Sequence, residues 1–141
     1  MNILIINGPN LNMLGIREVS IYGTKTYKDL CKYIKRIAKD KHLKIKIMQS
    51  NYEGKIITAI HKAYQKYDAI IINPGAYTHY SYAIYDAIKA VDIKCVEVHL
   101  TDITNREEFR KVSVIKNACI ATFSGKGFES YQEAIEFLIG V

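Results

Sequence analysis

Ile3-Leu4-Ile5-Ile6-Asn7-Gly8-Pro9-Asn10 runs from an unbroken aliphatic stretch straight into a polar turn. A strand with one wet face alternates apolar and polar side chains, so a continuous aliphatic run bounded by Gly and Pro reads as a strand buried on both faces. The same pattern returns in Ala69-Ile70-Ile71-Ile72 and, less purely, in residues 43–48, 94–98 and 118–123. Between these runs apolar residues recur at helical spacing. Tyr27, Leu30, Cys31, Ile34 and Ala38 mark one helix; Ile56, Ile57, Ile60, Ala63 and Tyr64 a second; Ile84, Ala87, Ile88 and Val91 a third; Tyr131, Ala134, Ile135 and Leu138 a fourth. Thr104 with Glu107, and Ser130 with Glu133, have the spacing of a capping box and are expected to open helices. Five strands alternating with helices predict an α/β fold, a five-stranded parallel sheet with helices on both faces, in a flavodoxin-like order.

The 141 residues fit one domain, 1–141, and no repeat or linker-like stretch divides them. Hydrophobic residues at 49% and charged residues at 24% belong to a folding chain, not a disordered one. Cys31, Cys95 and Cys119 are widely spaced in sequence and lie among apolar neighbours without a C-x-x-C pair, so reduced, buried thiols are expected. The opening residues carry no basic leader and no apolar stretch approaches the roughly 20 residues that span a bilayer. A cytoplasmic protein is expected, with no membrane partner.

A net charge of +6 raises the question of a nucleic-acid partner. The lysines of the first helix, Lys28, Lys32, Lys35 and Lys39, repeat at helical spacing opposite its apolar stripe, which is the pattern of a solvated face. No aromatic-interleaved basic cluster accompanies them, so nucleic-acid binding is not expected. A mild attraction for small anionic substrates is.

In a sheet of this kind ligands bind beyond the carboxyl ends of the strands. The residues there are Asn7-Gly8-Pro9-Asn10, Gln49-Ser50-Asn51, Asn73 through His79, His99-Leu100-Thr101 and Ser124-Gly125-Lys126-Gly127, five polar sets on one edge. The first set opens an exceptionally long connection, residues 7–25, which holds Arg17, Glu18 and Tyr22 between Gly15 and Gly23. Connections beyond about 12–15 residues in a compact domain are usually functional, and flanking glycines suit a moving lid. Neither a G-x-G-x-x-G nor a P-loop follows the first strand, so no nucleotide cofactor is expected. Asn7 and Asn10 suit a neutral or developing anionic oxygen, or a positioned water.

Glu97 and His99, at i and i+2 of one strand, share a face, so the carboxylate can orient the imidazole for acid or base work. His79 and His99 lack a third ligand at a telling spacing, so no metal is expected. Tyr22 is one of eleven tyrosines, most of which serve packing, but Arg17 on the same loop favours its phenolate and hence a base. Arg110 either reaches the same edge to hold substrate oxygens or pairs with Glu107.

Seven segments in order carry a resemblance: Ile6 through Asn12, Gly15 through Glu18, Ile21-Tyr22-Gly23, Gln49-Ser50-Asn51, Ile72 through His79, Glu97 through Leu100, and Arg106 through Arg110. Together they closely resemble the type II 3-dehydroquinate dehydratases. The resemblance implies reversible anti-elimination of water from 3-dehydroquinate through an enolate, with no cofactor. It implies Tyr22 as base, Arg17 holding the phenolate, Asn10 placing a water at the enolate oxygen, and His99 as acid oriented by Glu97. Asn73, His79, Arg110 and the Leu100-Thr101 backbone would bind the substrate's hydroxyls and carboxylate, with Asp86 contributed by a neighbouring subunit of a dodecamer. The residues alone leave Asp86 an ordinary exposed helix position. Four sites depart from the family habit: Val19 for a proline, Tyr80 for a small hydroxyl residue at the pocket rim, Lys111-Val112 where histidine is often found, and Lys126 between glycines. The rival reading is a flavodoxin-like binding or signalling module without catalysis.

Overall fold

The computed structural model describes residues 1–16 and 19–141, with Tyr22 described in its backbone alone. Five parallel strands, β1 (Asn2–Asn7), β2 (Lys44–Gln49), β3 (Ala69–Asn73), β4 (Lys94–Val98) and β5 (Ala121–Phe123), stand in the order β2-β1-β3-β4-β5. This is the flavodoxin-like order, and its chain reversal lies between β1 and β3. The fifth strand is shorter than expected, because Lys116–Ala118 tightens into a 3-10 turn before the chain joins β4.

Four longer helices follow the predicted stripes: α2 (Tyr27–Asp40), α3 (Glu53–Ala63), α4 (Tyr82–Val91) and α5 (Glu129–Ile139). Leu30, Ile34 and Ile37 of α2 pack with Tyr131, Ile135 and Leu138 of α5 on Ile3, Ile5 and Ile71, which fill one face of the sheet. On the other face Ile56 and Ile60 of α3 and Ile84 and Ile88 of α4 cover Leu4, Ile6, Ile70 and Ile72. The central strands are wet on neither face, which is why they read as continuous aliphatic runs. The lysines of α2 are exposed, as their spacing requires.

Neither expected capping box forms. Ser130 lies fully buried inside α5, accepting from Lys126 N (3.2 Å), and Thr104 lies inside a 3-10 turn (Ile103–Asn105) capped by Asp102. The box that does form uses Asp in place of Glu: at the start of α2, Asp29 N donates to Thr26 Oγ1 (3.2 Å) and Thr26 N to Asp29 Oδ2 (2.9 Å). The three thiols are free, with Cys95 buried and Cys31 and Cys119 half-buried. Packing brings Cys95 and Cys119, 24 residues apart, to a sulfur separation of 3.8 Å.

The long connection after β1 is not featureless. It holds a 3-10 turn (Leu11–Met13) and a short helix, α1 (Val19–Tyr22). Leu11 and Leu14 anchor its first part in the core. Gly15 and Gly23 flank its second part at φ +84° and +82°, in the left-handed region that glycine enters without strain. A Cβ on Gly15 would stand 2.8 Å from Thr24 O.

Candidate active site

The register places Gln49, Asn7 and Asn73 side by side at the carboxyl edge, one from each of β2, β1 and β3, with β4 next in line. The loops after β1 and β3 interlock there. Gly8 N donates to Asn73 O (2.7 Å), and any Cβ on Gly8 would meet Pro74 O at 2.5 Å. A cavity of about 90 Å³ opens beside this junction, walled by Asn10, Asn73, His79, His99, Leu100, Thr101, Arg106 and Arg110 among others. Sequence-expected residues from four separate segments thus share one wall. Asp86 does not join them: it is exposed on α4 and outside this lining. Arg17 and the Tyr22 side chain lie outside the described residues.

On the α3/α4 side of the edge sits a buried carboxylate. Glu97 is wholly enclosed, and its Oε2 receives His99 Nε2 (2.5 Å), Thr78 Oγ1 (2.7 Å) and Ser113 Oγ (2.8 Å). Burial alone would push this carboxyl up, but the His99 hydrogen bond and charge, with the Thr78 and Ser113 hydroxyls, outweigh it and hold the group below the usual carboxylate range. The carboxylate therefore stays ionised and fixes the imidazole. With Nε2 spent on Glu97, Nδ1 is the nitrogen of His99 left to serve the cavity. Sequence spacing found the Glu97 and His99 pair; Thr78 and Ser113 were missed as its partners.

His79 is held through Nδ1, which donates to the Val112 carbonyl (2.7 Å). Burial, with the charges of His99 and Arg110, draws its pKa below the ordinary value and outweighs the opposing pull of that hydrogen bond and of Glu97. Because the contact uses the backbone carbonyl, the departure at Val112 leaves it intact. Tyr80, expected at the rim, instead lies exposed against Tyr77 with ring centres 5.7 Å apart, outside the cavity lining. Arg110 makes the pair with Glu107 and also reaches the edge: Nε donates to Glu107 Oε2 (2.8 Å), the guanidinium stands 4.8 Å over the Phe109 ring, and the residue walls the cavity.

Asn10 adopts a left-handed conformation, φ 70°. Its N–H donates to Asn51 Oδ1 (3.1 Å), and Gln49 Nε2 braces both Asn51 Oδ1 (3.1 Å) and Gly8 O (3.1 Å). Asparagine tolerates this backbone better than other side-chain-bearing residues.

On the α2/α5 side Asn73 is nearly enclosed, its Oδ1 accepting from Gly75 N (3.2 Å) and its Nδ2 donating to Tyr131 Oη (3.0 Å). Tyr131 donates in turn to Asn7 Oδ1 (2.6 Å). Periodicity marked Tyr131 as a core residue, and nothing in the sequence linked its hydroxyl to the site.

The sequence profile of the family described as Dehydroquinase class II matches residues 1–139. The chain belongs to the class II dehydroquinases. Among its relatives, the 3-dehydroquinate dehydratase of Clostridium beijerinckii is 55% identical over 139 residues, spanning 98% of this chain and 95% of the relative. That of Caldicellulosiruptor bescii is 59% identical over 130 residues, spanning 92% and 90%. The crystal structure of the type II dehydroquinase from Butyrivibrio crossotus superposes with a TM-score of 0.97 at 50% identity, covering 99% of this chain and 97% of that one. Dehydroquinase membership sets aside the non-catalytic flavodoxin-like module, and the fold agrees with the structural neighbour throughout.

Proposed function

We propose that this chain, as a single catalytic domain, converts 3-dehydroquinate to 3-dehydroshikimate by anti-elimination of water, the dehydration step of the shikimate route to aromatic amino acids. The observation that carries the reading is the enclosed Glu97 carboxylate fixing His99 beside a cavity that also holds Asn73, His79 and Arg110.

Tyr22, as phenolate, removes the proton at C2, which the adjacent C3 ketone acidifies. Arg17 keeps Tyr22 ionised, because a nearby guanidinium favours the phenolate. The electron pair passes into an enolate, whose oxygen is met by a water held at Asn10, in the manner of an oxyanion hole. The enolate then collapses and expels the C1 hydroxyl, which leaves as water with a proton from His99, while Glu97 holds the imidazole in place. The proton gained by Tyr22 offsets the one given up by His99 and the electron pair stays within the substrate, so the step requires no redox cofactor. Asn73, His79, Arg110 and the Leu100-Thr101 backbone bind hydroxyls and carboxylate, and hinging at Gly15 and Gly23 closes the loop as a lid.

We further infer a cytoplasmic homododecamer, a tetramer of trimers, in which Asp86 reaches the cavity of a neighbouring copy. Exposure of Asp86 outside its own cavity supports this, as do exposed Tyr82 and Phe109 and the three free thiols. Among the described residues no helix is long and apolar enough to cross a membrane.

The test is direct. Purified protein given 3-dehydroquinate is expected to generate the ultraviolet absorbance of the conjugated enone product without added metal or nucleotide. Tyr22→Phe is expected to remove most of this activity with an unchanged circular dichroism spectrum, and near-normal turnover in that variant would rule Tyr22 out as the base.

A further inference from the structure

Behind Asn73 lies a chain of neutral hydrogen bonds whose direction is fixed at one end. The Gly75 N–H can only donate, so the atom 3.2 Å from it must be the oxygen of the Asn73 amide. Its Nδ2 therefore faces Tyr131 and donates to the phenol oxygen at 3.0 Å. Tyr131 must then send its own hydrogen elsewhere, and it does, to Asn7 Oδ1 at 2.6 Å. Asn7 closes the run by pointing Nδ2 at Tyr27 Oη, 3.4 Å away on the first residue of α2. Asn7 and Tyr131 are wholly buried and Asn73 nearly so, so no alternative partner from bulk water competes. One of the two N–H bonds on Asn73 Nδ2 is spent on Tyr131, and the other is left for whatever occupies the cavity that Asn73 walls.

We propose that Tyr131 and Asn7 are positioning residues: together with the Gly75 N–H they hold the Asn73 amide so that the cavity meets an N–H donor and not a carbonyl, which selects a substrate oxygen able to accept. The inference rests on the reading of this cavity as the 3-dehydroquinate site. Tyr131 is wholly buried and outside the cavity lining, so it acts through Asn73. Replacing its hydroxyl leaves the aromatic ring in the core and removes one of the two contacts that hold the amide, leaving the Gly75 N–H alone to orient it.

The experiment is a kinetic cycle on the full chain with 3-dehydroquinate, using Tyr131→Phe, Asn73→Ala and the double variant. Tyr131→Phe is expected to raise KM about five- to tenfold with kcat changed less than about twofold, the signature of lost uniform binding. In the Asn73→Ala background the same substitution is expected to add nothing. An unchanged KM in Tyr131→Phe, or an equal rise with and without Asn73, overturns the proposal. A substrate-free measurement stands beside it: the Asn73 side-chain amide pair in a proton–nitrogen correlation spectrum is expected to shift in Tyr131→Phe, and unmoved signals overturn the proposal equally. Wild-type turnover reports on the site's function separately, so failure of that reading and failure of this one are distinguishable.

Discussion

Two polar clusters back onto the cavity from opposite faces of one sheet, and they are made of different materials. Toward α3 and α4, Glu97 brings a full negative charge into the interior, with His99, Thr78 and Ser113 hydrogen-bonded to it. Toward α2 and α5, Asn7, Asn73, Tyr131 and Tyr27 form a cluster with no carboxylate or amine. A buried charge is costly unless every lone pair is met, and it is retained where a proton must be moved. Neutral amides cost less and serve where only orientation is wanted. The contrast therefore assigns proton handling to one face and substrate positioning to the other.

The largest expected effect breaks the comparison if it fails. His99→Asn removes the proposed proton donor on the charged face and is expected to lower kcat by about 10²- to 10⁴-fold, the usual contribution of general acid–base catalysis. Steady-state kinetics with 3-dehydroquinate reads it, and a loss confined to KM would contradict the assignment.

Stability sharpens the contrast next. Ser113→Ala withdraws a donor from a buried carboxylate and is expected to cost about 2–3 kcal/mol in urea titration. Tyr131→Phe, the matching deletion on the neutral face, is expected to cost about 1–1.5 kcal/mol. The reverse order would argue that the carboxylate is less dependent on its partners than its burial implies.

The two faces should also fail at opposite ends of the pH scale. Glu97 is held below its ordinary 4.5, so the stability it contributes is present above that pH and is lost as pH falls through the lowered value. Burial pushes the phenols of Tyr131 and Tyr27 up, Tyr27 to about 12, so their contribution is present below pH 10 and is lost as pH rises beyond it. Thermal melting across pH should show Glu97→Gln flattening the acid slope alone and Tyr131→Phe reducing the alkaline slope alone. The smallest effect is spectroscopic: His79 should titrate below its ordinary 6.5 in a proton NMR titration, since burial disfavours its charged form, and a midpoint above 6.5 would show that it senses Glu97 more than desolvation.

The sequence revealed the scaffold more fully than the contacts that tune it. Ile3 through Ile6 and Ala69 through Ile72 announced central strands because burial on both faces leaves an unbroken aliphatic run. The i, i+2 spacing of Glu97 and His99 was enough to pair them, since strand geometry fixes their common face. Thr78 and Ser113 escaped notice because their hydroxyls come from separate segments that only tertiary packing brings to Glu97. Periodicity put Tyr131 in the core yet said nothing of its hydroxyl, since a helical stripe reports which face is buried and not what a polar tip meets. Ser130 and Thr104 had cap spacing without cap backbone; a two-residue pattern cannot see where a helix begins. The sulfur contact between Cys95 and Cys119 was hidden likewise, because β4 and the approach to β5 become neighbours only through a crossover.

The most direct measurement is saturation kinetics of wild type and Glu97→Gln on 3-dehydroquinate, followed by enone absorbance without metal or nucleotide. The wild-type chain should turn over, and Glu97→Gln should keep KM within about threefold while losing about 10²-fold or more in kcat, as expected when the residue orienting a catalytic histidine loses its charge. A wild-type chain that yields no enone, or a Glu97→Gln variant with wild-type kcat, would contradict the account.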